Sequence, residues 1–288
     1  MTCLLSALPP LRDVISNAQL SAKKSFGQNF LLDLNLTRKI ARAAHITPED
    51  TLIEIGAGPG GLTRGLLLEG AQNVIAFEKD LRCVDALQPL VDAANGRLTL
   101  IQQDALTVDY RTLGTFPRKV AANLPYNIST PILILLLQQL SAFASLTLMF
   151  QREVAERLVA KPRTKAYGRL SVLCQTLCEV KMLFDIPPSA FVPAPKVVST
   201  VVQLIPKKDF AIAGRVGVAA ARTQEIFDMA GLEKLTAAAF GQRRKMLKSS
   251  LASIRPDITP YLMSAGIAPT ARAEELSHED FLTLLAVL

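Results

Sequence analysis

Four consecutive residues, Asn123-Leu124-Pro125-Tyr126, are suited to holding an amino group that projects from a flat ring. The Asn123 side-chain carbonyl can accept one N–H hydrogen bond. The Leu124 main-chain carbonyl can accept a second, because the proline after it keeps residue 124 extended. Tyr126 offers an aromatic face for stacking. Two acceptors on one amine draw its nitrogen out of conjugation and aim the lone pair. The weakly nucleophilic amine of adenine needs this in order to attack a methyl sulfonium. No strong base is required, since the proton can leave after the nitrogen has become cationic. A proline-stabilised turn beside a buried tyrosine would produce the same four residues.

A second constellation lies upstream. The apolar run Thr51–Ile55 leads into Gly56-Ala57-Gly58-Pro59-Gly60-Gly61 and then into the helical pattern Leu62–Leu68. Glycine lets the main chain take positive φ and approach a ligand that a Cβ would exclude. The N-terminus of the next helix supplies unpaired N–H groups. Glu78 follows Gly56 by twenty-two residues, at the end of the second apolar run, where a carboxylate can accept two hydrogen bonds from ribose hydroxyls. Asp104 ends the third run, where an acid can reach an adenine amino group, although an aspartate there also caps turns. Gly56, Gly58 and Gly61 satisfy the dinucleotide pattern G-x-G-x-x-G. Glu54-x-Gly56-x-Gly58-x-Gly60 also satisfies the S-adenosylmethionine loop. Both describe an adenosine-containing cofactor, and the turn by itself does not choose between them.

These residues need a sheet to bring them to one edge. Short apolar runs at Thr51–Ile55, Asn73–Phe77, Leu98–Gln102, Lys119–Ala122 and Leu146–Phe150 alternate with amphipathic stretches, as in a parallel sheet buried on both faces. Glu179–Phe184 and Val197–Ile205 follow, separated by a proline-rich loop, and predict a late antiparallel pair at one edge. The expected fold is therefore α/β and Rossmann-like, with about seven mainly parallel strands. After Pro206 helical periodicity takes over. The expected division is a loose arm over 1–20 with room for one helix, a main domain over 21–206, and a small all-helical domain over 207–288.

Composition removes other classes. Half of the 288 residues are hydrophobic, enough for a sizeable core, and 20% are charged, which does not suit a disordered chain. The apolar run Ile132–Leu137 is far too short to span a bilayer, and the N-terminus has no basic region before its Pro9-Pro10 pair, so neither a membrane span nor a signal peptide is expected. Four cysteines without C-x-x-C and only two histidines, His45 and His278, argue against a metal site and for reduced thiols in a cytoplasmic protein. Monomer is the default expectation.

The segment Asn123-Leu-Pro-Tyr-Asn-Ile-Ser-Thr-Pro131, with Phe26-Gly-Gln-Asn-Phe-Leu31 before it, resembles the bacterial ribosomal RNA adenine N6-dimethyltransferase family of the small-subunit (16S) type. Phe191-Val-Pro-Ala-Pro-Lys-Val-Val-Ser199 and Phe240-Gly-Gln-Arg-Arg-Lys-Met-Leu247 extend the resemblance to about residues 21–285. It implies a methyltransferase domain plus a small helical domain, with S-adenosylmethionine as cofactor. It implies cofactor contacts from Asn29, Leu31, Gly56, Gly58, Glu78, Asp104 and Asn123. The target N6 would be held by Asn123 and Leu124 within the Asn123–Pro125–Tyr126 turn, and the base would lie between Tyr126 and Phe191. The implied reaction places two methyl groups on each of two adjacent adenosines in the 3′-terminal hairpin loop of 16S rRNA, late in assembly of the 30S subunit. A loop base can be splayed out and stacked at lower cost than a paired one. Pro193 and Pro195 restrict the loop that carries Phe191 and would pre-place its ring.

The formal charge of +7 is unevenly distributed. Arg157–Cys178 and Lys234–Pro256 hold basic residues and no acidic ones, whereas acids outnumber bases elsewhere. Arg157, Arg163, Lys165, Arg243, Arg244, Lys245 and Lys248 are therefore the expected RNA contacts, positioning the RNA by its phosphates rather than reading its sequence. On one continuous helix, Phe240, Leu247, Leu251 and Ile254 would share a face, with Arg244, Lys245 and Lys248 beside it. A solvated helix face is the ordinary alternative for such a run. Of the rival readings, a large-subunit dimethylase of the macrolide-resistance type is opposed by Pro131 and by Phe240–Leu247. A non-enzymatic assembly factor or transcription-factor relative is opposed by the intact Asn123–Tyr126 turn. An NAD-dependent oxidoreductase lacks a His or Lys placed for hydride chemistry.

Overall fold

A computed structural model describes residues 2–23, 27–207 and 228–288. Phe26 of the Phe26–Leu31 motif and residues 208–227 of the expected helical domain lie outside the described residues. The chain divides into two compact units, 1–152 with 182–205 and 153–181 with 206–288. The expected main domain over 21–206 therefore contributes its stretch 153–181 to the second unit.

The elements in chain order are α1 (Thr2–Ala7), α2 (Leu11–Asn17), β1 (Phe30–Leu31), α3 (Leu34–Ala43), β2 (Thr51–Ile55), α4 (Gly61–Leu68), β3 (Asn73–Glu78), α5 (Leu81–Ala94), β4 (Leu98–Gln102), β5 (Arg118–Asn123), α6 (Ser129–Gln138) and β6 (Ser145–Gln151). They continue with α7 (Arg152–Leu158), α8 (Arg169–Leu177), β7 (Cys178–Ile186), β8 (Phe191–Val192), β9 (Ser199–Pro206), α9 (Met229–Gly241), α10 (Leu247–Ser250), α11 (Thr259–Ser264) and α12 (His278–Val287). The large sheet has seven strands in the order β4-β3-β2-β5-β6-β9-β7, close to the expected runs. β2 pairs in parallel with β3 and β5, β3 with β4, and β5 with β6, while β9 runs antiparallel to β6. All five residues of β2 are buried, because both faces of a parallel sheet are covered. The strand order reverses between β2 and β5, and in open sheets of this kind ligands bind outside the carboxyl ends of the strands at that point.

Residues 2–20 are not the expected loose arm. They form two helices, and Leu5 is fully buried in the core of the first unit with Leu62, Leu66, Leu87 and Leu90. The Arg64 guanidinium ties the segment down by donating to the Leu8 and Pro9 carbonyls at 2.9 and 2.7 Å. A second short pairing was also invisible in the sequence: β1 runs antiparallel to β8, setting Leu31 opposite Phe191 and Phe30 opposite Val192.

In the second unit α8, α9 and α12 pack together. Leu173, Leu177, Leu232, Leu235, Phe281 and Leu284 are buried, and Phe240 contacts both Tyr167 and Phe281 with ring centroids 6.0 and 5.7 Å apart. The expected continuous helix through 240–254 is absent. α9 ends at Gly241, Met246 bridges to Arg272, and only the single turn of α10 follows. Leu247 and Leu251 are still buried, so the apolar pattern was real although the helix that carries it is not continuous. The bridge partner Arg272 is distant in sequence and left no local signal.

Candidate active site

One cavity at the carboxyl edge of the sheet is lined by Asn29, Leu31, Gly56, Gly58, Glu78, Asp104, Asn123, Leu124, Pro125 and Tyr126. These are all the expected cofactor and base residues except Phe191. The glycine turn is folded back on β3: the Gly56 and Ala57 N–H groups both donate to the Phe77 carbonyl, at 2.8 and 3.1 Å. Gly56 and Gly58 have φ of +74° and +55°, which a side chain would strain. Gly61 is needed for a different reason: a Cβ there would lie 2.5 Å from the Leu31 carbonyl oxygen, so α4 and β1 could not meet.

Glu78 joins the turn to the end of β3. One carboxylate oxygen accepts the Gly58 N–H at 2.7 Å, and the other accepts the Lys79 and Asp80 N–H groups, both at 2.8 Å. Burial pushes its pKa above the ordinary carboxylate value, and the three N–H groups pull the other way. The carboxylate retains lone pairs for further donors. Asp104 accepts the Leu106 N–H at 3.0 Å and so caps the next turn, while Lys79 pairs with it at 2.7 Å and holds its pKa low. The turn-capping alternative is thus real, and the same carboxylate borders the cavity.

At the end of β5, the Asn123 Nδ2 amide donates to the Asn29 main-chain carbonyl at 3.4 Å. This leaves Asn123 Oδ1 as an acceptor. Tyr126 is half-buried; its main-chain carbonyl accepts from Ser129 Oγ at 3.0 Å, and its phenol shares a 2.6 Å hydrogen bond with Ser199 Oγ. Gln28, in the segment before β1, donates to Asp80 Oδ2 at 3.0 Å and anchors that segment to the start of α5.

Phe191 departs from expectation. It is 2% exposed, belongs to the same apolar core as Leu31, Ile186 and Ala57, and does not border the cavity. The β1–β8 pairing, rather than the neighbouring prolines alone, sets its place. The ring face expected to oppose Tyr126 across a base is not open here.

Glu54 received no role from the sequence beyond its place in the loop spacing. It is buried in β2, borders the cavity, and has an Oε2 without a hydrogen-bond partner. Burial, with the nearby charge of Glu78 adding to it, pushes its pKa up to about 8. A carboxyl with one unpaired oxygen at such a depth fits a ligand that brings a positive charge. An acid inside an otherwise apolar strand, two residues before the first glycine, was the signal available. The donor set as a whole (glycine main chain, two acidic strand ends and a buried unpaired carboxyl) fits a cofactor that combines adenosine with a cationic group.

The seven basic residues expected on RNA all fall in the second unit, although 55 residues (179–233) separate the two windows. Arg243 links the windows by donating to the Thr164 carbonyl at 3.1 Å. Arg157, Arg163, Lys165, Arg244, Lys245 and Lys248 are exposed. The windows lack acids in sequence but not in space, since Glu274 pairs with Arg243 at 2.7 Å and Glu153 with Arg157. Among the described residues no group of three or more His, Cys, Asp or Glu could hold a metal ion, and no helix is long and apolar enough to cross a membrane.

A sheet of this order, with a glycine turn after its first parallel strand and acidic residues at the ends of the next two, defines a Rossmann-like methyltransferase. A sequence model of the family described as ribosomal RNA adenine dimethylase matches residues 19–288. The chain belongs to this family. It is 53% identical over 277 residues to the ribosomal RNA small subunit methyltransferase A of Rhodospirillum rubrum, covering 96% of this chain and 91% of that protein. It is 51% identical over 285 residues to that of Ruegeria pomeroyi, covering 97% of each. Among solved structures, a dimethyladenosine transferase from Plasmodium falciparum superposes with a TM-score of 0.69 at 26% identity, covering 88% of this chain and 94% of that one. The 23S rRNA methyltransferase ErmE shares the fold, with a TM-score of 0.61 at 24% identity over 90% of this chain and 99% of that one.

Proposed function

We propose that the protein dimethylates N6 of two adjacent adenosines in the 3′-terminal hairpin loop of 16S rRNA, using S-adenosylmethionine, within an immature 30S subunit. It acts as a cytoplasmic monomer without a metal ion. The relatives from R. rubrum and R. pomeroyi are small-subunit methyltransferases by name, and the match runs almost end to end. The observation that carries the reading is the state of Asn123. Its Nδ2 is engaged by the Asn29 carbonyl, so Oδ1 is the group left to accept from an amine, in the cavity that also contains the glycine turn.

The geometry supports the following division of labour. Gly56 and Gly58 offer main chain to the cofactor, Glu78 receives ribose hydroxyls, Asp104 receives the adenine amine, and Asn29 and Leu31 line the cavity beside the turn. Glu54, protonated without cofactor, releases its proton and balances positive charge once a cationic group is bound beside it. S-adenosylmethionine supplies an electrophilic methyl group when bound. Asn123 Oδ1 and the Leu124 carbonyl accept the two N–H bonds of the target amine and orient its lone pair. Tyr126 supports the ring, and the apolar surroundings exclude water. Phe191 can complete the stack only after its ring is uncovered. The basic residues of the second unit hold the RNA by its phosphates, which sets register without reading bases.

The test is transfer of tritiated methyl groups to unmodified 30S and 50S subunits, followed by mapping of the labelled nucleotides. Label is expected at two neighbouring adenosines near the 3′ end of 16S rRNA. Label confined to 50S subunits, or elsewhere in 16S rRNA, would overturn the assignment.

A further inference from the structure

We propose that Ser199 is a positioning residue that sets the stacking ring of Tyr126 through the 2.6 Å hydrogen bond between Ser199 Oγ and the Tyr126 phenol. The proposal rests on the reading of Tyr126 as the support for the target base. Tyr126 lies in the irregular stretch between β5 and α6, so regular structure does not fix its side chain. Ser129 holds only its main-chain carbonyl, at 3.0 Å. Without a contact at the far end, the ring could turn among rotamers that present either a face or an edge to the cavity.

Ser199 supplies that contact from a rigid place. It is fully buried at the start of β9, in register with Gln151 of β6. Both its neighbours are tied down: Val198 accepts the Arg152 N–H at 2.9 Å, and Thr200 Oγ1 donates to Asp185 at 2.7 Å. A fully buried position beside the apolar run Val201–Val202 would accept alanine or valine on packing grounds, so the hydroxyl requires its own reason. That reason is a partner for the half-buried phenol. The bond also joins two segments that the sequence presents as separate, 123–126 and 191–199. The last residue of the second segment thus acts on the last residue of the first.

The test measures single-turnover methyl transfer to unmodified 30S subunits by the full-length wild type, Ser199→Ala, Tyr126→Phe and the double variant. Subunit binding, cofactor binding and the thermal midpoint are measured alongside. Each single variant is expected to lose about tenfold in transfer rate, the scale of one hydrogen bond, and the double variant to lose no more. Binding of cofactor and subunit stays within about twofold. A purely structural bond would instead lower the midpoint and leave the saturated rate alone. Wild-type rates for Ser199→Ala, or losses that multiply in the double variant, would overturn the proposal. Should Ser199→Ala not fold, Tyr126→Phe decides alone, and an unchanged rate overturns it. A wild-type protein that transfers nothing to 30S subunits removes the activity itself and Ser199 with it, whereas an active wild type with unaffected variants removes only Ser199.

Discussion

Asn123→Ala separates a catalytic role from a structural one because the structure makes the two effects unequal. The bond lost within the protein is long, 3.4 Å from Nδ2 to the Asn29 carbonyl, at the weak end of hydrogen-bond geometry. Its removal is expected to cost about 0.5 kcal/mol of stability. At roughly 2–4 °C per kcal/mol for a chain of this size, the thermal midpoint falls by about 1–2 °C. The lost catalytic interaction is larger, because a preorganised hydrogen-bonding group that acts on developing charge contributes about a hundredfold or more in rate. Methyl transfer to unmodified 30S subunits is therefore expected to drop at least about a hundredfold, while cofactor binding stays measurable by calorimetry. Asn123→Asp sharpens the point. It keeps an acceptor oxygen but sets a carboxylate against the Asn29 carbonyl, so it is expected to lose activity as well. Transfer by Asn123→Ala within a few-fold of wild type would refute the role given to Oδ1. A fall in midpoint several times larger than expected would show that Asn123 is a structural residue.

Gly61→Ala forces a Cβ to within 2.5 Å of the Leu31 carbonyl oxygen, and is expected to cost about 1–3 kcal/mol and weaken cofactor binding, read by thermal unfolding and calorimetry. The Glu54 carboxyl, with a pKa near 8 against an ordinary 4.5, keeps its proton in the folded chain over a range where the unfolded chain releases it. Its contribution to stability is complete below about pH 4.5 and is lost as pH rises towards 8. The thermal midpoint of cofactor-free wild type should therefore decline across that window more steeply than that of Glu54→Gln, and parallel curves would refute the burial argument. Arg244→Glu combined with Lys248→Glu should weaken 30S binding and flatten its salt dependence with cofactor affinity near normal; an unchanged salt slope would take this patch off the RNA.

The parallel strands were legible because burial on both faces leaves continuous apolar runs. The residues that end them were legible because chemistry constrains their types. Gly56, Glu78, Asp104 and Asn123 could all be placed at one sheet edge from the sequence, since alternation with helices makes the strands parallel and brings their carboxyl ends to the same side. What could not be read depended on partners distant in sequence. Leu31 meets Phe191 through two-residue strands too short to leave a pattern, and that pairing buries the ring expected to stack. The helix expected through 240–254 breaks because Met246 bridges to Arg272. Glu54 was visible as a letter in a motif, but its importance comes from the absence of a partner for its inner oxygen, which only three dimensions display.

The docking of residues 2–20 has a consequence for the order of events in folding. Leu5 is buried against residues of α4 and α5, and Arg64 holds the Leu8 and Pro9 carbonyls. Residues 2–20 therefore have no surface to settle on until residues through about 94 have been synthesised. They wait, then close over helices that flank the glycine turn. Residues 2–20 complete the half of the first unit that carries the glycine turn instead of preceding it, and synthesis and assembly run in opposite directions across that unit.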